Sequence, residues 1–328
     1  MPEKPVVLVT ERIAEMGLQL LETSCEVCAP WRHGRTYVEE EWGAADAVIV
    51  RLCRITAEIL SLAPRLKVIG RHGAGLDNVD LKAATERAIP VVFTPSALTM
   101  ANAVAEHTVQ MMLALARHTV AGDKAVREGA FGQRSSLQGV ELHQKTLGIV
   151  GLGAIGARVA EICQKGFGMQ ILAYDPYVEG HPPQAEVTLV RSLRELLARA
   201  DVVTLHLPST AETSYMIDAE ALRLMKPSAM LINTARGAVL DTVALAEALR
   251  RGQLLGAALD VFEKEPPPLD HPLLSAPRTL FSPHLGSSTG AAMERMAELV
   301  ARQVVQVLKG ERPQFVANPE VFETGLAA

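Results

Sequence analysis

Cysteine is scarce in this chain: there are four in 328 residues. That is too few for a disulfide framework, so a reducing, cytoplasmic setting is expected. Two of them are spaced Cys25-x-x-Cys28, but no second pair completes a zinc set, and no metal site is expected. No uncharged apolar run reaches the roughly 18 residues of a membrane span. The start, Met1-Pro2-Glu3-Lys4, lacks the apolar region of a signal peptide. An excess of positive charge is also missing, since 32 Lys and Arg stand against 37 Asp and Glu for a net charge of −5. This argues against a nucleic-acid partner. Short repeats and low-complexity tracts are absent too. What is present is a 48% apolar composition, enough for a sizeable core. The length suggests two domains on a soft prior of about 150 residues each.

The most informative stretch begins with the apolar run Leu147 to Val150 and continues into Gly151-x-Gly153-x-x-Gly156. The run reads as a buried parallel strand. Ile155, Val159 and Ile162 then share one helical face. Strand, glycine turn and helix in this order form a dinucleotide fingerprint. Gly151 permits the tight turn, Gly153 lets a pyrophosphate approach the backbone, and Gly156 lets helix and strand pack closely. The pyrophosphate is expected at the helix N-terminus, where free N–H groups attract anions. The next strand, Gln170 to Tyr174, ends at Asp175, 19 residues past Gly156. That is where an acid binds the ribose 2′-hydroxyl and repels a 2′-phosphate, so NAD is expected over NADP.

The rest of the chain alternates in the same way. Strands are expected at Pro5–Thr10, Cys25–Cys28, Ala47–Val50, Leu66–Gly70 and Pro90–Phe93, with helices at Glu11–Glu22, Ile55–Ala63 and Leu81–Ala88. Pro95 to Thr99 reads as a turn-like break and a domain boundary. A long helical pattern then runs through Val104, Val109, Met112, Leu113 and Leu115 to near Gly122. Further strands are expected near 147–150, 170–174, 201–206, 228–233, 255–259 and 278–281. An amphipathic helix is expected from Ser288 to Lys309, stopping at Gly310, and the tail Pro313 to Ala328 is weakly patterned. The fold class is therefore α/β with parallel sheets.

Ligands in open α/β sheets bind beyond the carboxyl ends of the strands. Met230 to Ala235 runs into Arg236-Gly237, Ala257-Ala258-Leu259 into Asp260 with Glu265 following, and Leu280 to Pro283 into His284. Taken singly, each has a bland reading as a cap, a surface charge or a turn residue. Together they suit hydride transfer to a 2-keto acid, which leaves an alkoxide in need of a proton. His284 can donate that proton, and Glu265 beside it favours the imidazolium. Arg236 can bind a carboxylate bidentately, while the cofactor carries the hydride.

The fingerprint, Asn233-Thr234-Ala235-Arg236-Gly237, Gly256 to Phe262, Glu265-Pro266 and Ser282-Pro283-His284-Leu285-Gly286 together resemble the D-isomer-specific 2-hydroxyacid dehydrogenases. Within that family the pattern is most similar to a short-form D-3-phosphoglycerate dehydrogenase. The resemblance implies a catalytic trio of Arg236, Glu265 and His284. It implies NAD contacts at Ala154, Ile155, Asp175, Leu207, Thr213, Thr234, Ala235, Asp260 and Gly286, with Arg236 and His284 also beside the cofactor. It implies two Rossmann-like or flavodoxin-like domains: residues 99–286 bind NAD, while 1–98 and 287–328 together form a discontinuous substrate domain.

The expected partner is a small anionic substrate, handled by Arg51, Arg71, His72, Gly73, Ala74, Gly75, Arg134 and Arg236. Beyond the carboxylate assigned to Arg236, the further arginines suggest a second anion, phosphate or sulfonate. The resemblance also implies a homodimer or dimer-based oligomer, with Arg134 in the interface stretch Arg127 to His143. Leu52 and His72 depart from the phosphoglycerate pattern and bear on substrate choice. The alternatives are hydroxypyruvate or glyoxylate reduction, formate-type oxidation, and an NAD-sensing binding protein. Glu265 disfavours formate oxidation, which puts no proton on a carbonyl oxygen. The lack of long extra segments disfavours the sensor.

Overall fold

A computed structural model describes residues 4–37, 39–178 and 185–323 of the chain. The last five residues of the expected tail lie outside them. The chain divides into two compact units. One runs to Met100 and resumes at Ser288, and the other is Ala101–Ser287.

In the first unit, strands β1 (Val6–Val9), β2 (Glu26–Cys28), β3 (Ala47–Val50), β4 (Val68–Arg71) and β5 (Val91–Phe93) form a parallel sheet in the order β2-β1-β3-β4-β5. This is the flavodoxin-like order. Side chains alternate between two cores, as a pleat requires. Val7, Val9, Ala47 and Ile49 face one core, and Leu8, Val48 and Val50 face the other. The helix Gly290–Leu308 completes the first core with Val300, Ala301 and Val304. Each such valine stabilises by about 1.5–3 kcal/mol when fully buried. Two glycines permit its approach: a Cβ on Gly17 would lie 2.8 Å from Ala297, and one on Gly70 would lie 2.7 Å from Val304.

The tail beyond this helix is more ordered than its sequence pattern suggests. Phe93 N–H donates to the Phe315 carbonyl and Ala317 N–H to the Val91 carbonyl, an antiparallel addition along β5. Gln303 donates to the Phe93 carbonyl and accepts from Phe315 N–H. Asn318 accepts from Val91 N–H at 2.8 Å and donates to the Ile89 carbonyl and to Thr85 Oγ1.

In the second unit, β6 (Thr146–Val150), β7 (Gln170–Tyr174), β8 (Val187–Leu189), β9 (Val202–Leu205), β10 (Met230–Asn233), β11 (Gly256–Leu259) and β12 (Thr279–Phe281) form a parallel sheet. The order β12-β11-β10-β9-β6-β7-β8 is the dinucleotide-binding arrangement with one added edge strand. Its direction of winding reverses between β6 and β9, where such sheets bind ligands.

Several local expectations are corrected. Pro95–Thr99 is not merely a turn, because Ser96–Thr99 forms one helical turn. The long pattern after it is two helices, Ala101–Ala116 and Thr119–Arg127, parted where His118 takes a left-handed φ of 52°. The first helix starts at Glu15, not Glu11, because the Glu11 carboxylate accepts the backbone N–H groups of Arg51, Leu52 and Cys53. Ile55 bridges to Val79, so the next helix begins after its cap Thr56. Strand β8 was not expected: three residues on a sheet edge leave little periodicity to read. The segment around Trp42 is the helix Glu39–Ala44, with the indole buried.

Asn318→Ala leaves the Val91 N–H and the Ile89 carbonyl without buried partners. A loss of about 2 kcal/mol or more is expected in denaturant unfolding of the whole chain; a change within error would show that the tail is dispensable.

Candidate active site

Each strand of the second sheet that carries a candidate residue ends on the same edge. Register pairs Val150 with Tyr174 and Leu205, Asn233 with Leu205 and Leu259, and Leu259 with Phe281. Gly151, Asp175, the Arg236 turn, Asp260 and the His284 loop therefore all leave from the carboxyl edge.

The fingerprint glycines divide their work as their surroundings dictate. Gly151 has φ 93°, and a Cβ there would lie 2.5 Å from the His206 carbonyl oxygen. A Cβ on Gly156 would lie 2.2 Å from the Gly151 carbonyl oxygen, whereas one on Gly153 would meet open space. Gly153 caps the helix Ala154–Phe167, and among the described residues no side chain caps its start. Asp175 reaches back to this turn, its Oδ2 accepting Leu152 N–H at 2.8 Å and its Oδ1 accepting Tyr177 N–H. Leu207 follows β9, and Thr213 folds its hydroxyl onto the Pro208 carbonyl.

The trio is assembled by backbone contacts. Asn233, fully buried, donates to the Arg236 carbonyl and accepts Ala235 N–H, which shapes the Arg236 turn. A Cβ on Gly237 would lie 1.9 Å from the Phe262 carbonyl carbon. The turn and the 260–265 loop thus abut backbone to backbone. Glu265 Oε1 accepts Phe262 N–H, and Oε2 lies 2.8 Å from His284 Nδ1. Glu265 accepts in its ionised form, so Nδ1 donates and Nε2 is left for proton exchange. Burial opposes ionisation of Glu265, but the hydrogen bond and charge of His284, with Phe262 N–H, outweigh it and hold the carboxyl below its ordinary range. His284 stays accessible, with its side chain 46% exposed. Arg236 donates through Nη1 to the Ala235 carbonyl.

Asp260 ties this loop down. It is 1% exposed, yet burial is outweighed by donors from His107, Ser282, Leu285 and Gly286, and its carboxyl is lowered. Its carbonyl also accepts His284 N–H. Its stabilising contribution is thus present above the ordinary aspartate value, about 3.9, and fades as pH falls through the lower folded-state value. Thr234 pairs its hydroxyl with that of Thr108.

The other candidates enter none of the hydrogen bonds just described. Arg51, Arg71, His72, Gly73, Ala74 and Gly75 belong to the first unit. Arg71 turns Nε onto the Gly75 carbonyl and Nη1 onto that of His72, so it braces its own loop. The His72 ring is buried. Burial first, then the charges of Arg51 and Arg71, push it down to about 4, so it is neutral at pH 7. Arg134 is exposed on the turn Phe131–Ser136. Sequence reasoning passed over His107 and gave no role to Asn233 and Ser282 within their motifs, because what these residues do lies in hydrogen bonds that no spacing announces.

Residues 109–286 match the family described as "D-isomer specific 2-hydroxyacid dehydrogenase, NAD binding domain". The chain belongs to this family. It is similar to a glyoxylate reductase of Thermofilum pendens, 43% identical over 98% of this chain and 96% of that one. It is also similar to a D-3-phosphoglycerate dehydrogenase of Methanocaldococcus jannaschii, 41% identical over 95% of this chain but 59% of that one. Among solved structures, a D-lactate dehydrogenase from Aquifex aeolicus complexed with NAD and lactic acid superposes with a TM-score of 0.81. It is 32% identical and covers 93% of this chain and 96% of that one. The chain is thus an NAD-dependent dehydrogenase of the 2-hydroxyacid family, as its sequence motifs implied.

The residues present fit the dinucleotide. The open face of Gly153 and the uncapped helix start suit a pyrophosphate, and the carboxylate of Asp175 beside them suits a ribose diol. Gly153→Ala should therefore fold normally yet bind NADH more weakly in a fluorescence titration. Gly156→Ala should lower thermal stability itself, because its Cβ collides with backbone. Equal NADH affinity in Gly153→Ala and the unsubstituted enzyme would remove the pyrophosphate from this turn.

Proposed function

We propose that this dehydrogenase interconverts a small 2-keto acid and its D-2-hydroxy acid through the trio Arg236, Glu265 and His284. The carrying observation is the 2.8 Å contact from His284 Nδ1 to Glu265 Oε2 on the carboxyl edge of the sheet. NAD(H), when bound by the fingerprint turn and Asp175, supplies or accepts the hydride. Arg236 holds the substrate carboxylate through paired N–H donors. His284 Nε2 delivers a proton to the substrate oxygen in reduction and removes it in oxidation. Glu265 fixes the ring and favours its charged form. Leu207, Thr213, Thr234, Ala235, Asp260 and Gly286 complete the proposed cofactor contacts, with Ala154 and Ile155 at the helix start.

For the substrate, one anionic group is favoured, as in glyoxylate or hydroxypyruvate. Arg71 is engaged with its own loop, His72 is neutral, and the glyoxylate reductase of Thermofilum pendens matches along nearly its full length. A second reading, 3-phosphoglycerate, draws support from Arg51, whose guanidinium has no ion-pair partner among the described residues, and from exposed Arg134. The domain roles follow the same proposal: Ala101–Ser287 holds the cofactor, and the remainder serves the substrate. A cytoplasmic homodimer is proposed as well. Four free cysteines support the compartment. Exposed Val120, Val126 and Phe131 around the Thr119–Ser136 stretch support the dimer.

Two measurements test this. Reduction requires protonated His284, so Glu265→Gln should move the alkaline limb of the reductive pH–rate profile to lower pH; an unmoved limb would separate the pair. In a panel of keto acids with NADH, glyoxylate or hydroxypyruvate should exceed phosphohydroxypyruvate in kcat/KM, with Arg51→Ala nearly neutral. The opposite order, with Arg51→Ala costing on the order of 1.5–3 kcal/mol for the phosphorylated acid alone, would establish the second reading.

A further inference from the structure

We infer that His107 is a positioning residue for the proton-transfer step; the inference rests on reading His284 as the proton donor. His107 lies on the helix Ala101–Ala116, mostly buried, with no direct contact to Glu265 or His284 among its hydrogen bonds. Its Nε2 is 3.2 Å from Asp260 Oδ1 and 3.0 Å from Ser282 Oγ. Ser282 Oγ in turn donates to Asp260 Oδ1. The ionised carboxylate only accepts, and Ser282 gives its single hydroxyl hydrogen to it in preference to the weak acceptor Met111 Sδ at 3.6 Å, so the remaining contacts demand a hydrogen on His107 Nε2. His107 is therefore a donor to both.

What that donor holds is the loop of His284. Asp260 Oδ1 accepts Leu285 N–H at 2.7 Å and Oδ2 accepts Gly286 N–H at 2.8 Å. His284 itself stands at a left-handed φ of 53°, a conformation that is strained for a non-glycine residue and persists only where its surroundings over-determine it. His107 anchors the carboxylate that imposes this conformation to a rigid helix. The next residue, Thr108, pairs with Thr234 at 2.8 Å beside the Arg236 turn. Two successive side chains of one helix thus brace both loops of the trio. A carboxylate short of one donor can rotate, and the loop then gains freedom where proton delivery needs a fixed ring.

The test compares His107→Phe, which fills the space without a donor, with His107→Gln, which keeps one. With glyoxylate and NADH, His107→Phe should lower kcat by roughly 10–100-fold, the scale of a small misplacement, with KM nearly unchanged. It should also raise the primary isotope effect with NADH deuterated at the transferred position, while His107→Gln recovers most of kcat. In the unsubstituted enzyme, nitrogen NMR of labelled histidine should show His107 protonated at Nε2. That measurement decides the matter even where the Phe variant does not fold, because an unprotonated Nε2 overturns the assignment. Unchanged kcat and isotope effect in His107→Phe overturn it, as do equal losses in both variants that track lowered thermal stability. His284→Ala is run in parallel. If it loses turnover while His107→Phe keeps it, only the role of His107 falls; if His284→Ala keeps turnover, the proton-donor reading falls and takes this inference with it.

Discussion

A buried carboxylate with no ion-pair partner of fixed charge among the described residues organises the carboxyl edge of the second sheet. Removing Asp260 from water costs several kcal/mol unless its oxygens find donors. They find four, from two backbone N–H groups, a hydroxyl and an imidazole. The donors come from the helix Ala101–Ala116, the end of β12 and the His284 loop, so the carboxylate is satisfied only when all three are in place. The geometry of His284 is in this way a condition of folding. Under the proposed proton-transfer role, a ring fixed before a ligand arrives costs little reorganisation when the reaction occurs.

Close backbone approach is the second constraint, and it explains why the trio can come from separate strands. The Arg236 turn and the Phe262 loop meet where any side chain at residue 237 would overlap main-chain atoms. With Gly237 in place, Glu265 is carried to His284 by a short chain of backbone contacts. The same logic operates at Gly156 and Gly151 on the other side of the sheet's switch point, where the dinucleotide turn is closed.

The architecture was legible because buried parallel strands are continuous apolar runs, and Ala47–Val50, Gln170–Tyr174 and Met230–Asn233 stand out at their observed bounds or nearly so. Arg236, Glu265 and His284 came forward as candidates because each follows such a run. What escaped were features set by tertiary contacts. Three residues of β8 carry no period. The break at His118 is a backbone angle, and nothing in Ala116-Arg117-His118 marks it. Glu11 scans as the start of a helix but serves the loop at 51–53 from 40 residues away. Arg71 scans as a free cation and is engaged with its own loop. His107 scans as one polar interruption of an apolar stripe, and only the fold brings it to residue 260.

The return of the final helix to the first sheet has a consequence for the order in which the chain matures as it is made. Residues up to Met100 leave the ribosome before Ala101–Ser287, but their sheet lacks the valines at 300 and 304 and the strand-like segment near 316 until that second unit has been translated. In the interval Ala101–Ser287 has every strand of its own sheet. The unit encoded first is therefore the one completed last. Its outer strand, with Val91 and Phe93 still presenting unpaired N–H groups, is an open edge of the kind that recruits other strands. That edge stays open until residues 315–318 have been made and have paired with it.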